Sequence, residues 1–466
     1  MMKKMTCGEI AKACGGTFHG TKEESGRIVA GIAIDSRKIQ KDWLFVATVG
    51  ERVDGHSFIP QVFENHAACV VSEKELENPA GPYIHVDSSF QALKDIAAYY
   101  RSILDIKVVG ITGSVGKTST KEMIASVLNT RFKVQKTAGN YNNEVGLPLT
   151  VFSIGEEHEI AVLEMGISDF GEMHRLGRIA RPDYMVITNI GQCHLENLKT
   201  RDGILKAKTE VFDEMGDSSE VILNGDDDKL ATISQVHGKA PHFFSRANAD
   251  SADKSGIKAE AYATDVENLG LYGSRCVIHI KDRSFTVTIP LPGEHMIQNA
   301  LAAATVGHLL GLTPKEIAEG ISQVQSVAGR SHIMDTGVYT LIDDCYNANP
   351  VSMKSAIDLL ATAKTRKVAI MGDMFELGNN TEALHKETGA YAAGAGIDVI
   401  ICIGSLSSHT ACGAKESGAK EVHHYPDKAA FLLDAKKILH PQDSILLKAS
   451  HGMHFEELLD ALQKTQ

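Results

Sequence analysis

The chain has 466 residues, 43% of them hydrophobic and 23% charged, and its formal net charge is −12. At roughly 150 residues per domain, this length predicts about three globular domains and argues against a single small binding module or a largely disordered chain. The negative charge argues against a protein that coats nucleic acid, so any phosphate binding must rely on local loops, single cations or metal ions.

Residues 1–105 are predicted to form a small α/β domain. Short apolar runs at 43–49, 67–72 and 83–88 alternate with polar turns, and a helical pattern over 90–104 closes the unit. The segment DSRKI, with Ser36 and Arg37, and the turn GERVDGHSF place polar side chains in loops where a ligand could be held. On the residues alone, an ordinary polar turn is the favoured interpretation of both.

The second unit, residues 106–327, opens with a predicted strand, a glycine loop and a helix. The β-branched run at 107–112 leads through TGSVGKT into a sequence with apolar residues at helical spacing. Further apolar runs at 160–166 and 184–191 predict parallel strands buried on both faces. The small-residue helix predicted at 294–312 is expected to pack on that sheet.

The loop TGSVGKT lies where a nucleotide site requires it, between a strand and a helix N-terminus. Glycines let backbone N–H groups approach phosphates, and the helix dipole adds to their attraction. The loop departs from G-x-x-x-x-G-K-[ST] because Ile111 stands where the first glycine is usual. Lys117 can neutralise the β- and γ-phosphates, and the Thr118 hydroxyl can complete a Mg²⁺ shell. The predicted ATP-binding loop comprises Gly113, Ser114, Val115, Gly116, Lys117 and Thr118.

Two side chains follow predicted strands of the same unit: Glu164 ends one strand, and His194 lies in the loop after the next. Carboxyl ends of parallel strands open into the crevice where α/β proteins bind ligands, so both side chains are expected to converge on the phosphate loop. Either alone is a weak signal, since such residues are often a solvated rim carboxylate or a bystander. Together they predict oxygen and imidazole ligands for Mg²⁺ ions that bridge ATP to a second substrate.

The segment GILKAKTEVF places Lys206 and Lys208 on a predicted helix. Composition gives no reason to separate these two lysines. On the residues alone, both are expected to belong to a solvated basic face.

From residue 328 to 466 the pattern restarts, with four predicted strands alternating with helices. This arrangement predicts a doubly wound, Rossmann-like sheet. No G-x-G-x-x-G follows its first strand, so an NAD site is disfavoured. The predicted fold class is therefore α/β with three domains: a small N-terminal α/β domain, a central P-loop ATP-binding domain with a parallel sheet, and a C-terminal Rossmann-like domain.

Eight scattered cysteines show neither a C-x-x-C pair nor a zinc-ligand spacing, which predicts a reducing compartment. The basic residues at the N-terminus are not followed by an apolar segment, and no stretch approaches the length of a membrane span. We therefore expect a cytoplasmic protein that neither inserts into membranes nor binds nucleic acid, with a monomer as the default state.

A family resemblance rests on five segments in a particular order: TGSVGKTST, TAGNYNNEVGLP, EMG, TNIGQCHLENL and KAKTEVF. In this order and spacing they resemble the Mur ligases, ATP-dependent amide-forming enzymes of bacterial cell-wall precursor synthesis. In the third unit, GRSH, IDDCYNANP and GDMFELG resemble the member that adds D-alanyl-D-alanine. DSRKI and GERVDGHSFI resemble its uridine-nucleotide domain, so the resemblance covers almost the whole chain.

The resemblance implies roles for residues at matching positions. Lys117 and Thr118 would hold ATP phosphates and Mg²⁺, while Glu164 would bind the first metal ion and His194 the second. Lys208 matches a lysine that many relatives carry in carboxylated (carbamoylated) form, in which it helps to hold the second ion. This implication replaces the solvated-face interpretation of Lys208. The implied catalytic residues are Lys117, His194 and Lys208.

Further roles follow from the same resemblance. Asn299 matches an asparagine that contacts adenine, and Arg330 and Asp344 match residues of the third domain that reach the nucleotide on closure. The implied substrate-binding residues are Ser36, Arg37, Asn142 and Asn143. Two positions depart from the family: Met296 stands where many relatives have Asn, and His451 stands where Arg is usual. A histidine is largely neutral at pH 7, so no fixed positive charge is inferred at that position.

The activity that the resemblance implies is an ATP-dependent ligation of D-alanyl-D-alanine to UDP-N-acetylmuramoyl-tripeptide in peptidoglycan synthesis. The reaction would pass through an acyl phosphate and release ADP and phosphate. A sister ligase that adds glutamate or a diamino acid is an alternative, although the Asp-Asn-Pro-Arg motif of the diamino-acid enzyme is absent. A P-loop switch that ligates nothing and a small-molecule kinase are alternatives of other classes. The third peptide residue, lysine or diaminopimelate, and the general base stay open.

Overall fold

Three larger α/β sheets follow one another along the chain in the computed structural model, which describes residues 2–50, 53–246 and 258–464. Glu51 and Arg52, in the polar turn GERVDGHSF, lie outside the described residues. Across the described ranges, no helix has the length and apolarity that a membrane crossing needs. All eight cysteines carry free thiols. The predicted α/β fold class with three units is confirmed.

The first unit is built on a five-stranded sheet. Its elements in chain order are β1 (Met5–Thr6), α1 (Cys7–Ala13), β2 (Thr17–His19), α2 (Lys22–Ser25), β3 (Ile28–Val29), β4 (Gly31–Ala33), β5 (Trp43–Val46), α3 (Ile59–Glu64), β6 (Cys69–Ser72), β7 (Tyr83–His85) and α4 (Ser89–Ile103). The sheet order is β2-β7-β6-β5-β4, with β2 antiparallel to β7 and the other pairs parallel. The apolar runs predicted as strands form β5, β6 and β7. The helix α4 begins after Ser88, whose hydroxyl accepts a hydrogen bond from the backbone N–H of Gln91.

The second unit is built on a nine-stranded sheet. Its elements are β8 (Lys107–Thr112), α5 (Lys117–Leu128), β9 (Val134–Lys136), α6 (Gly146–Phe152), β10 (Ile160–Glu164), α7 (Glu172–Ala180), β11 (Tyr184–Ile187), α8 (Leu195–Leu198), α9 (Arg201–Thr209), β12 (Glu220–Asn224), β13 (His242–Ser245), β14 (Ala261–Asn268), β15 (Ser274–Ile280), β16 (Arg283–Ile289), α10 (His295–Leu309) and α11 (Pro314–Ser322). The order is β16-β15-β14-β13-β12-β11-β8-β10-β9. The strands from β9 to β14 pair in parallel, as predicted for the centre of the sheet.

The antiparallel strands β15 and β16 extend this sheet beyond the predicted parallel part. In β15, buried Cys276, Ile278 and Ile280 alternate with more accessible residues, which is typical of a strand covered on one face. The parallel strand β8 is buried from Val108 to Thr112, because helices cover both faces. One face carries α5, α10 and α11, and the other carries α6, α7, α9 and, from the first unit, α4.

The third unit is built on a six-stranded sheet. Its elements are β17 (His332–Asp335), β18 (Thr340–Asp343), α12 (Pro350–Ala361), β19 (Lys367–Gly372), α13 (Thr381–Gly394), β20 (Val399–Ile403), α14 (Ser407–Glu416), β21 (Val422–Tyr425), α15 (Lys428–Ile438), β22 (Ser444–Lys448) and α16 (Glu456–Gln463). The order is β17-β18-β22-β19-β20-β21, parallel except for β17. Apolar residues of α12, α13 and α14 pack on one face, and those of α15 and α16 pack on the other.

The predicted number of four strands in the third unit was therefore too low, because both edge strands, β17 and β21, were missed. The helix α14 was missed as well. Edge strands bury less apolar surface than central strands, so their hydrophobic pattern is weak. In β21, His423 and His424 stand where a central strand would carry apolar residues, and none of its residues is fully buried. In β17, none of the four residues is fully buried either.

Candidate active site

A cleft of about 490 Å³ separates the second unit from the third. Its walls come from the carboxyl ends of β8, β10 and β11 on one side and from the loops after β18, β19 and β22 on the other. This is the edge where parallel α/β sheets bind ligands, because the loops there are free to diverge from the sheet. The cleft is lined by these residues predicted from the sequence: Ser114, Val115, Gly116, Lys117, Thr118, Asn142, Glu164, His194, Asn299, Arg330 and Asp344.

The phosphate loop is held in shape by the segment that follows β11. The backbone N–H of Val115 donates to Asn189 Oδ1 at 2.9 Å, and Thr188 Oγ1 donates to the Val115 carbonyl at 2.6 Å. Gly116 adopts φ +86°, a left-handed conformation that suits glycine, and α5 begins at the next residue. The loop is therefore preorganised at the N-terminus of a helix, and Gly113, directly after β8, is its first residue.

Lys117 folds back over this loop, and its Nζ donates to the Gly113 carbonyl at 2.8 Å. The ammonium group thus lies beside the backbone N–H groups that a phosphate would contact. A cation at that position neutralises phosphate charge at the point where the helix dipole also favours an anion.

Glu164 is buried at the end of β10, with 2% of its surface exposed. Its two carboxylate oxygens accept hydrogen bonds from Thr118 Oγ1 at 3.0 Å and from Asn142 Nδ2 at 2.8 Å. The ammonium of buried Lys121 lies 3.8 Å from the same carboxylate. Because β8 lies between β10 and β11, the fold brings Glu164 to one flank of the phosphate loop and His194 to the other.

His194 and Lys208 form the other flank. The His194 Nδ1 lies 3.3 Å from Glu376 Oε2 of the third unit. Burial lowers the pKa of His194, and the Glu376 carboxylate, which acts to raise it, has the smaller effect. A neutral imidazole is therefore favoured at pH 7. Lys208 on α9 is 1% exposed. Burial, together with repulsion from the Lys117 ammonium, lowers the pKa of Lys208 to about 8. The solvated-face expectation was therefore wrong for Lys208, whereas Lys206 is exposed.

Asn299 lies on α10 and contacts α5, the helix that follows the phosphate loop. Its Oδ1 accepts a hydrogen bond from Thr120 Oγ1 at 3.0 Å, and its Nδ2 donates to the sulfur of Met296 at 3.3 Å. Met296, the departure from the family pattern, is therefore buried and supports Asn299 in this structure. The Asn299 side chain is buried and lines the cleft.

The third unit contributes Asp344 and Arg330. Asp344 accepts hydrogen bonds from Lys448 Nζ at 2.6 Å and from the backbone N–H of Ser331 at 2.9 Å. The Arg330 guanidinium stacks 4.0 Å from the centre of the Tyr346 ring, which holds it toward the cleft. Both residues lie at the carboxyl edge of the third sheet, opposite the phosphate loop.

Three predicted substrate-binding residues lie elsewhere. Asn143 uses its Oδ1 to accept from the backbone N–H groups of Val145 and Gly146, which supports the start of α6. Ser36 is buried in the loop after β4, and the Arg37 side chain is 84% exposed and paired with Asp35. Their roles in binding substrate stay predictions.

Several residues in or beside the cleft were not found from the sequence. Lys121 and Lys448 look like ordinary helix and strand residues, and only burial against a carboxylate distinguishes them. Asn189 follows β11 within the segment TNIGQCHLENL, so this motif is the sequence signal for its place beside the phosphate loop. Glu376 depends on contact between two separate units, and no local pattern could have indicated it.

Within the described ranges, no three His, Cys, Asp or Glu side chains converge into a metal-binding group. The predicted metal ligands nevertheless fit a hard divalent cation. Glu164 and Thr118 supply oxygens, and Lys208 is a buried cation with no described carboxylate within 4.0 Å. Carboxylation would turn that unbalanced cation into an anionic oxygen ligand, so this donor set suits Mg²⁺.

Three protein-family models match successive parts of the chain. They are the Mur ligase family catalytic domain at residues 28–101, the Mur ligase middle domain at residues 111–307, and the Mur ligase glutamate ligase domain at residues 329–451. Each match falls within one of the three units of the fold.

Similar proteins span the whole chain. A UDP-N-acetylmuramoyl-tripeptide–D-alanyl-D-alanine ligase of Bacillus subtilis is 37% identical over 99% of both chains, and one of Escherichia coli is 34% identical over 93% of both. Among solved structures, MurF from Acinetobacter baumannii superposes with a TM-score of 0.89 at 30% identity over 100% of both chains. MurF ligase from Thermotoga maritima in complex with ADP superposes with a TM-score of 0.81 at 27% identity, over 93% of this chain and 97% of that one. The chain therefore belongs to the Mur ligase family of enzymes.

Proposed function

We propose that the protein joins D-alanyl-D-alanine to UDP-N-acetylmuramoyl-tripeptide, with ATP converted to ADP and phosphate. The observation that carries the proposal is the cleft itself. It places the phosphate loop, Lys117 and Glu164 opposite Arg330 and Asp344 of the third unit. The full-length relatives that bear this activity in their names support the choice of substrates.

The chemistry explains why such a site is needed. A free carboxylate resists attack by an amine because oxide is not a viable leaving group at neutral pH. Transfer of the ATP γ-phosphoryl group to the terminal carboxylate of the peptide gives an acyl phosphate. The amine of the dipeptide then attacks the acyl carbon, a tetrahedral intermediate forms, and phosphate leaves.

The residues of the phosphate loop serve the first step. ATP and the peptide carboxylate are both anions, so their approach needs compensating positive charge. Lys117 and the backbone N–H groups of the loop supply it from fixed positions, which also stabilises charge that develops on oxygen in the transition state. Asn299 would contact adenine, and Arg330 and Asp344 would reach the nucleotide from the third unit.

Two Mg²⁺ ions would be held at the flanks of the loop, one by Thr118 and Glu164 and the other by His194 and carboxylated Lys208. When bound, they would neutralise phosphate charge between the two anionic substrates. Lys208 suits carboxylation because carbon dioxide reacts with a neutral amine, and burial favours that form of this lysine.

We assign one substrate to each unit. Residues 1–105 would hold the uridine nucleotide near Ser36 and Arg37, and residues 106–327 would hold ATP, with Asn142 and Asn143 toward the peptide. Residues 328–466 would bring the amino substrate, and contact between the second and third units would keep water from the acyl phosphate. We place this enzyme in the cytoplasm, where its precursors are made, and expect a monomer.

The test is phosphate release by purified protein with MgATP, UDP-N-acetylmuramoyl-tripeptide and D-alanyl-D-alanine, with each omitted in turn. Mass spectrometry of the uridine product should show a gain equal to the dipeptide minus water. Parallel assays with lysine-containing and diaminopimelate-containing tripeptides would identify the third peptide residue. Turnover with a free amino acid in place of the dipeptide would instead identify a sister ligase. Nucleotide binding without turnover would refute the ligase.

A further inference from the structure

Three carboxylates line the cleft in the described part of the chain, and two of them are already engaged. Glu164 accepts hydrogen bonds from Thr118 and Asn142, and Asp344 is paired with Lys448. Both are buried and accept hydrogen bonds from neighbouring groups of the protein. Glu376, by contrast, is exposed, and no described lysine or arginine pairs with its carboxylate.

Glu376 lies in the loop after β19, where it lines the cleft, and its side chain is 68% exposed. No described lysine or arginine nitrogen lies within 4.0 Å of its carboxylate, and His194 Nδ1 lies 3.3 Å from it. The residue adopts φ +60°, which L residues rarely do. The loop is nevertheless anchored, because the backbone N–H of Phe375 donates to Ser450 Oγ at 2.9 Å. The carboxylate is thus held in the cleft without a protein cation.

The amino substrate carries a positive charge that can pair with this carboxylate. An α-amino group has a pKa near 8, so it arrives as ammonium at pH 7. It must be held close to the transferred phosphoryl group, and Glu376 meets that condition because it touches His194, which flanks the phosphate loop together with Lys117. Apolar side chains of Phe375, Leu377 and Val351 also line the cleft and suit the methyl groups of a small dipeptide.

Building on the proposed ligase function, we propose that Glu376 binds the ammonium group of the amino substrate and holds it at the third-unit side of the cleft. The carboxylate provides a charge-assisted hydrogen bond to an N–H of that group. Glu376 is then a specificity residue for the amine, distinct from the residues that hold ATP.

The test compares steady-state kinetics of the full-length wild type, Glu376→Gln and Glu376→Asp at saturating MgATP and uridine substrate. The KM for D-alanyl-D-alanine should rise about 10- to 100-fold in Glu376→Gln, the range for loss of a hydrogen bond to a charged group. The KM for MgATP should stay within about two-fold. Glu376→Asp keeps the charge and should show a smaller rise. Glu387→Gln is the matched control, since Glu387 on α13 pairs with Lys354 of α12, is exposed and does not line the cleft.

A second measurement separates charge recognition from shape. Propionyl-D-alanine has the outline of the dipeptide but lacks the amine, so its inhibition constant should be the same for the wild type and Glu376→Gln. An unchanged KM for the dipeptide, or equal weakening of propionyl-D-alanine, would overturn the inference. A higher Mg²⁺ requirement with an unchanged dipeptide KM would assign Glu376 to His194 instead and would also overturn it.

These outcomes are distinguishable from failure of the proposed function. If the wild type does not use D-alanyl-D-alanine, the substrate assignment fails, and the same comparison is made with the amine that the wild type does ligate. If the wild type ligates the dipeptide and Glu376→Gln has the same KM, the inference about Glu376 alone fails.

Discussion

Two lysines on one helix show how burial changes what a residue can do. Lys206 and Lys208 are two positions apart on α9, so their side chains leave the helix in different directions. Lys206 is exposed, whereas Lys208 is buried beside Lys117. Loss of hydration penalises the charged form of Lys208, so the fraction of neutral, nucleophilic amine at this residue near neutral pH is increased.

This difference predicts the pH dependence of Lys208 carboxylation. At a fixed bicarbonate concentration, conversion of protonated lysine to carbamate releases one proton, whereas conversion of neutral lysine releases none. Because the pKa of Lys208 is lowered to about 8, the carbamate should increase with pH up to about 8 and then level off. The measurement is the carbamate signal in ¹³C NMR with labelled bicarbonate.

The signal should be absent in Lys208→Arg and present in Lys206→Arg, the exposed control on the same helix. A rise that continues well past pH 9 would mean that Lys208 titrates like an ordinary lysine, which contradicts its burial.

Lys117→Ala should abolish ligation, with phosphate release falling at least about 100-fold, because one preorganised donor to a developing anion contributes on this scale. The melting temperature should change little, since the Lys117 side chain is only half-buried. Lys436→Ala, a change of an exposed lysine on α15, is the control for loss of a positive charge. Near-normal turnover of Lys117→Ala would refute the phosphate-loop assignment.

At the scale of elements, the site depends on the junction of β8 and α5 with the segment after β11. Gly113 lies at the centre of this junction, with φ +151°, and a Cβ there would lie 2.0 Å from Thr188 Oγ1. Thr188 in turn donates to the Val115 carbonyl, so a shift of Thr188 would also deform the phosphate loop.

Gly113→Ala should therefore lower the free energy of unfolding by about 1–3 kcal/mol, as overpacking does, and weaken MgATP binding as well. Urea denaturation and nucleotide titration measure the two effects. Gly139→Ala is the control, because Gly139 also has positive φ, at +51°, but has open space around its Cβ position. It should lose stability only through backbone strain, with MgATP binding retained. Equal nucleotide affinities of the two variants would contradict this role of Gly113.

At the scale of the whole molecule, α4 joins the first two units into one core. Its Leu93, Ile96 and Tyr100 belong to the same buried cluster as Phe152 of α6 and Leu176 of α7. The Tyr100 hydroxyl accepts from the backbone N–H of Lys3 at 2.9 Å and donates to the Ile154 carbonyl at 2.5 Å. The sequence placed α4 in the first unit, and its packing makes that unit continuous with the second.

Tyr100→Phe should lower the free energy of unfolding by about 1–3 kcal/mol, because it leaves the buried Ile154 carbonyl and the partly buried Lys3 N–H without their partner. Both units should still unfold in a single urea transition, since they share this core. Tyr99→Phe on the same helix is the control, because no described group bonds to the Tyr99 hydroxyl, and its effect should be below about 0.5 kcal/mol. Separate transitions for the two units in the wild type would contradict a shared core.

Much of the fold could be predicted because central strands and amphipathic helices carry their pattern locally. The runs that became β8, β10 and β11 are buried on both faces and read as continuous apolar segments. The glycine loop after β8 indicated the phosphate site for a similar reason, since the backbone conformation of a few adjacent residues determines it. Edge strands such as β17 and β21 were missed because their burial depends on only one neighbour.

By itself, then, the sequence determined the α/β class, the phosphate loop with Lys117, and the strand ends that carry Glu164 and His194. Only the tertiary structure decided that β8 lies between β10 and β11, which brings those strand ends together. It also decided that Lys208 is buried, that Lys448 pairs with Asp344, and that Glu376 reaches His194 across the cleft. The physical reason is that local periodicity records which face of an element is apolar, whereas burial and pairing of charges depend on residues that are distant in the chain.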